Sequence, residues 1–242
     1  MIINWIKQSD NKILLFVLLL FFLKVISFFT IGENFLRFTE PWVLLSILLL
    51  FIYKYRKISL VLKAFIMFAL IGDVSGLFDM QIKGIDLEAI AYCLGYICLI
   101  YEAIYKIKKF KINFVIALYL IFVFSVNIYF IYELYDIFKE VIVNNLELRL
   151  IVFRLVSLLL FSLFSFTVYL SSETKQSILL LLMSISLIFS DILYLINEYY
   201  LYLWAFELLS KTLYLVTFYC FYLYVSGYYR NKSKPKFNEV IS

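Results

Sequence analysis

The sequence has no histidine among its 242 residues, which removes the commonest metal ligand and the commonest general base near neutral pH. Carboxylates alone would have to hold an ion in a greasy site, so metal catalysis is disfavoured and no cofactor or metal is expected. Charged residues make up only 16% of the chain, against roughly a quarter in soluble domains. Two prolines and six glycines leave little turn material for a transmembrane barrel, whose many strands must each be closed by a turn. Cys93, Cys98 and Cys220 all fall inside apolar runs, which argues against a disulfide framework.

What is present in excess is apolar and aromatic surface. Hydrophobic residues account for 65% and aromatics for 21%, with a mean hydropathy of +0.97. Helices are then the remaining way to cross a bilayer with every backbone group satisfied. The expected fold is all-α: a polytopic membrane helical bundle of about eight transmembrane helices, forming one integral domain over residues 1–242 with a basic tail from about 228. An apolar run from Ile13 to about Ile31 follows Lys7 and Lys12. It lacks a small-residue cleavage site and carries Lys24 inside it, so it reads as the first span rather than a signal peptide. Further spans of ~20 residues are legible at about 42–56, 58–78, 85–105, 112–134, 150–170, 176–196 and 201–225.

Loop charges set the orientation. Lys7, Lys12, Lys54, Arg56, Lys57, Lys106, Lys108, Lys109, Lys111, Lys175, Arg230, Lys232, Lys234 and Lys236 fall at the N-terminus, in alternate loops and in the tail, and are 14 of the 22 basic residues. The opposite loops hold Arg37, Lys83, Lys139 and Arg149 among acids such as Glu33, Asp79, Asp86 and Glu140. The positive-inside rule then places both termini in the cytoplasm, which requires an even number of spans and so agrees with the count of eight. The net charge of +5 is thereby absorbed by topology and anionic-lipid contact, and no nucleic-acid partner is expected. The membrane itself, the cell membrane if the source is bacterial, is the expected location.

Two carboxylates interrupt this apolar chain. Asp73 lies in ALIGDVSGLF, residues 69–78, and Asp191 in SISLIFSDIL, residues 184–193. A carboxylate in hydrocarbon costs at least ~2.5 kcal/mol, so it requires a partner, a water-lined cavity or a function. Each follows a small residue, Gly72 or Ser190, and each lies roughly 8–9 Å below the outer boundary at 1.5 Å per residue. Glu207 falls at a similar depth, Lys24, Lys211 and Tyr96 deeper, and Glu40 at the mouth of the second span. We expect Asp73 and Asp191 to face one polar pocket. The alternative is that each pairs with a basic residue on a neighbouring helix and locks the packing.

Other features have structural explanations of equal standing. Gly72 with Gly76, and Ser186 with Ser190, are small-xxx-small pairs of the kind that marks close helix contact. Glu207 and Lys211 are spaced i, i+4 in the favourable order and either neutralise each other or serve the site. Glu88, Tyr92 and Tyr96 recur every four residues and so line one face of the fourth span. Tyrosines near helix ends, such as Tyr199, Tyr200, Tyr228 and Tyr229, read as interfacial belts.

From about Thr39 to Gly227 the chain resembles the YhhN family of lysoplasmalogenase-like membrane proteins, on the Gly-Asp pair in IGDVSGLF and the Ser-Asp pair in IFSDILYL. The resemblance implies eight spans, hydrolysis of the vinyl ether bond of lysoplasmalogen to a fatty aldehyde and a glycerophospho-alcohol, and essential roles for Asp73 and Asp191. Glu40 precedes Pro41 where the family has Lys-Pro, and Gly95-Tyr96 stands where it has Gly-His. These two positions bear on headgroup binding and proton handling. The substrate would be a lipid or lysophospholipid, with Glu40, Tyr92, Tyr96, Ser190, Glu207 and Lys211 as candidate binding residues beside the two aspartates. The chemistry suits paired acids: one neutral carboxyl delivers a proton to carbon, while an ionised one stabilises the cation and orients water. A catalytically silent lipid-binding member and a small-solute or proton-coupled carrier are the alternatives from other classes.

Overall fold

In the computed structural model, the described residues are 42, 44–45, 59–78, 80–82, 85–107, 114–172 and 174–232. Six long helices follow one another: α1 (Leu60–Leu77), α2 (Leu87–Ile107), α3 (Phe114–Val141), α4 (Asn145–Ser172), α5 (Lys175–Tyr199) and α6 (Trp204–Lys232). All six are long and apolar enough to cross a membrane, and they correspond to the third to eighth spans expected from the sequence. The first two spans, and with them Lys24 and Glu40, lie outside the described residues except for Trp42, Leu44 and Leu45, which are helical.

Local chemistry explains where the helices begin and end. The Ser59 hydroxyl caps α1 by accepting the Leu62 N–H at 3.4 Å, and Thr174 caps α5 by accepting the Ser177 N–H at 3.2 Å. A hydroxyl here satisfies one of the orphan N–H groups of the first turn. Between α1 and α2 lies a two-residue antiparallel ladder, β1 (Gln81–Ile82) against β2 (Ile85–Asp86). The α3–α4 break comes at 142–144, where the Asn144 side chain accepts the Leu146 N–H. α3 ends seven residues later than the expected end of the fifth span. Glu133, Asp136, Lys139 and Glu140 lower the hydropathy of that stretch but do not break a helix, so α3 continues to Val141.

Short connections make neighbours antiparallel. α1 packs on α2, α2 on α4, α4 on α5 and on α3, and α5 on α6. Ring contacts of Phe65 with Phe218 and Phe221 join α1 to α6, and the main core gathers Phe65, Ile66, Leu99, Phe161, Met183 and Phe221 from five helices. The third of these helices in sequence stands apart: only 6% of α3's span is buried, against 39–56% for the others. A helix apolar all round and barely covered by protein is suited to hydrocarbon on most of its surface.

Candidate functional site

The two aspartates lie toward the end of the bundle where α1 leads into α2 and α5 turns into α6. Asp73 is 6% exposed and Asp191 3% exposed, so both carboxylates are out of solvent and depend on protein donors. Each accepts from a tyrosine of the Glu88, Tyr92, Tyr96 stripe on α2, which forms the spine of the site. The Tyr92 hydroxyl donates to Asp73 Oδ1 at 2.5 Å, and Tyr214 of α6 donates to the same oxygen at 2.8 Å. One turn further along α2, the Tyr96 hydroxyl donates to Asp191 Oδ2 at 3.0 Å. The two rings stack with centroids 6.3 Å apart and planes 15° from parallel. Neighbouring tyrosines of one helix face thus join the two acids, which lie on different helices.

Arg154 of α4 completes the arrangement. Its Nε donates to Asp191 Oδ2 at 2.7 Å and its Nη2 to Oδ1 at 2.8 Å, a bidentate pair of the strongest kind available to a carboxylate. Its Nη1 lies 3.9 Å from Glu88 Oε1, and its guanidinium carbon lies 4.4 Å from the centre of the Tyr92 ring. Arg154 is itself only 5% exposed. A charge buried to that degree is tolerated because Asp191 neutralises it through two hydrogen bonds and a ring face covers it.

The glycines of the motif explain how α1 approaches α2. A Cβ on Gly72 would lie 3.1 Å from two atoms of the Tyr92 ring, and one on Gly76 would strike the Glu88 carboxylate. The space beside Asp73 left by Gly72 is therefore occupied by the tyrosine that donates to it. On α5, the Ser190 hydroxyl donates to the Ser210 carbonyl while the Ser210 hydroxyl donates to the Ser190 carbonyl, both at 2.9 Å. That reciprocal clasp fixes α5 against α6 directly beside Asp191.

No protein-family model, curated protein or solved structure matches the chain.

Of the residues singled out from the sequence, Asp73, Asp191, Tyr92 and Tyr96 come together in one buried network. Glu207 and Lys211 lie to one side, lining a cleft with Tyr194, Asn197, Glu198 and Ser210, and Glu207 accepts a hydrogen bond from Tyr202 at 3.3 Å. Glu40 lies outside the described residues. Sequence reasoning missed Arg154, Tyr214 and Tyr194. Arg154 carried a usable signal, because it interrupts the apolar stretch LIVFRLVSLLLF just as the aspartates interrupt theirs. Tyr214 and Tyr194 are two of 21 tyrosines, and only their spacing points to them. Tyr214 follows Lys211 by three residues, and Tyr194 follows Asp191 by three, which keeps each pair on one helix face.

Proposed function

We propose that this multi-pass membrane protein is an intramembrane hydrolase of the vinyl ether bond of a single-chain lipid, as its resemblance to the YhhN family implies. One observation carries the reading: two buried carboxylates from different helices are held by adjacent, stacked tyrosines on a third. Their environments divide the labour. Asp191, gripped through both oxygens by Arg154, is the fixed anion that stabilises positive charge. Asp73, held by the phenols of Tyr92 and Tyr214, is the group that exchanges a proton. The separation of an acid from an ionised carboxylate by environment is the usual basis of such pairs.

In the reaction, Asp73 gives its proton to the vinyl carbon remote from oxygen, leaving an oxocarbenium ion beside Asp191. Water adds to that ion and returns a proton to Asp73, and the resulting hemiacetal breaks its C–O bond to release the aldehyde and the alcohol. One water is consumed and no electrons change hands. An eight-span topology with both termini cytoplasmic belongs to the same proposal. The test is aldehyde release from lysoplasmalogen by the purified wild-type protein; none at any pH between 5 and 9 rejects the enzyme.

The Arg154–Asp191 pair also favours a second reading, a catalytically silent lipid binder in which the network only locks α2, α4 and α5 together. Lipid binding without aldehyde release is its expected outcome.

A further inference from the structure

Arg154 faces two carboxylates, and the chemistry above uses only one of them. Its Nε and Nη2 are taken by Asp191, while its remaining nitrogen, Nη1, lies 3.9 Å from Glu88 Oε1 on α2. A guanidinium carries one positive charge, and a bidentate carboxylate cancels it. The Arg154–Asp191 pair is therefore neutral as a unit, and a neutral pair holds a developing cation weakly. For Asp191 to stabilise positive charge, a further anion has to offset Arg154.

Glu88 is placed to be that anion. It stands in the first turn of α2, where the helix dipole favours negative charge. Its side chain is 17% exposed, against 4% for Asp191, so it escapes part of the desolvation that a fully buried carboxylate suffers. Gly76 makes room for it, since a Cβ there would strike the Glu88 carboxylate. Gly76 follows Asp73 by three residues on α1, which brings the Glu88 carboxylate to the helix face that carries Asp73. One cation between two carboxylates leaves the Glu88–Arg154–Asp191 trio with a net negative charge. Lys211 does not cancel it: that ammonium lies 5.9 Å from the centre of the Tyr194 ring, in a cleft lined also by Glu198 and Glu207, which match its charge locally.

We propose that Glu88 is a positioning residue that sets the charge of the site. By facing Arg154 it offsets the guanidinium, and Asp191 is thereby left able to stabilise the oxocarbenium ion. Glu88 acts through Arg154 and does not touch the lipid. The inference rests on the hydrolase reading for the identity of the cation, whereas the charge of the trio is independent of it.

The experiment uses the full-length protein in detergent and has two readouts. The first is binding and needs no turnover. Two single-chain glycerophospholipids are titrated by calorimetry: one in which a secondary amine, charged at neutral pH, replaces the vinyl ether, and its saturated ether counterpart. The wild type is expected to bind the amine about tenfold more tightly, the difference of one charge-assisted contact. Glu88→Gln should remove that preference, and Glu88→Asp, which keeps the charge, should retain it. Glu88→Ala is a second neutral variant, compatible with a helix, and should behave as Glu88→Gln does; unfolding in the same micelles shows which of the proteins are folded. The second readout is turnover, where Glu88→Gln should lower kcat about tenfold and leave KM within about twofold, as loss of an interaction made only in the transition state does. Equal affinity for amine and ether in the wild type overturns the proposal without any variant. A preference that survives in a folded neutral variant, or that is lost equally in Glu88→Asp, overturns it as well. Loss of the preference in the neutral variants, with no aldehyde released by the wild type, would keep the role of Glu88 and reject the hydrolase. Aldehyde release at full kcat by Glu88→Gln would do the opposite.

Discussion

Arg154 grips Asp191 through two parallel bonds of 2.7 and 2.8 Å, with both partners almost fully buried in a chain suited to hydrocarbon. The planar fork of a guanidinium matches both carboxylate oxygens at once, which an ammonium cannot do. The same guanidinium lies over Tyr92, which donates to Asp73. One cation therefore touches both halves of the site, directly at Asp191 and through a ring at Asp73.

That pair should be strongly coupled. Arg154→Met or Asp191→Asn alone leaves a buried charge without its counter-charge, at a cost of ~3–5 kcal/mol. The double variant Arg154→Met/Asp191→Leu removes both charges of the pair, taking from Glu88 its Arg154 contact and from the Tyr96 hydroxyl its Asp191 acceptor, and should lose less than the sum of the two. Unfolding of the four proteins in the same micelles measures the coupling. Losses that simply add would show that the pair does not hold α4 to α5.

The glycines offer a graded test of close approach. Gly→Ala within a helix ordinarily gains up to ~1 kcal/mol. Gly227→Ala should show that gain, since a Cβ there meets only the end of Gln176 at 3.9 Å. At Gly72 the obstructing Tyr92 ring is pinned by Asp73, stacked on Tyr96 and covered by Arg154. Its inability to yield should make Gly72→Ala destabilising by ~1–3 kcal/mol, as in other overpacked sites. Equal melting temperatures for the two variants would mean that α1 and α2 are not so closely packed.

The sequence told unequal amounts about different parts of this molecule, for physical reasons. Long apolar runs made α1 to α6 legible, because crossing a bilayer demands both length and hydrophobicity. Helix ends were less legible, because charged helix formers such as Glu133 and Lys139 prolong α3 without being apolar. The four-residue stripe of Glu88, Tyr92 and Tyr96 was readable as a face, and that face does meet both acids. Which basic residue would meet Asp191 was not readable, since partners 37 positions apart are joined only by how α4 and α5 pack. Ser190 shows the limit from the other side: its clasp with Ser210 depends on α6 lying against it, a relation that spacing within α5 does not contain.

Orientation is open to direct labelling. In a cysteine-free background, a cysteine at position 80 should react with a membrane-impermeant maleimide added from outside, and one at position 108 only after the membrane is opened. Position 80 lies in the connection between α1 and α2, where Met80 is exposed. The reverse pattern would invert the whole bundle.

The decisive chemical prediction separates the two aspartates. Asp73→Asn keeps an oxygen able to accept from Tyr92 and Tyr214, so stability should change by no more than ~1 kcal/mol, within the worth of a neutral hydrogen bond. An amide delivers no acidic proton, so aldehyde release should be abolished. Asp191→Asn should also abolish it, but together with the stability loss of a broken ion pair. Tyr96→Phe removes one donor to Asp191 while the Arg154 pair remains; it should retain measurable turnover and lose ~0.5–1.5 kcal/mol. Turnover and unfolding are measured side by side on each protein. If Asp73→Asn hydrolyses the ether as fast as the wild type, Asp73 is not the acid. If it is inactive only because it unfolds, Asp73 belongs to the packing, as the silent-binder reading requires.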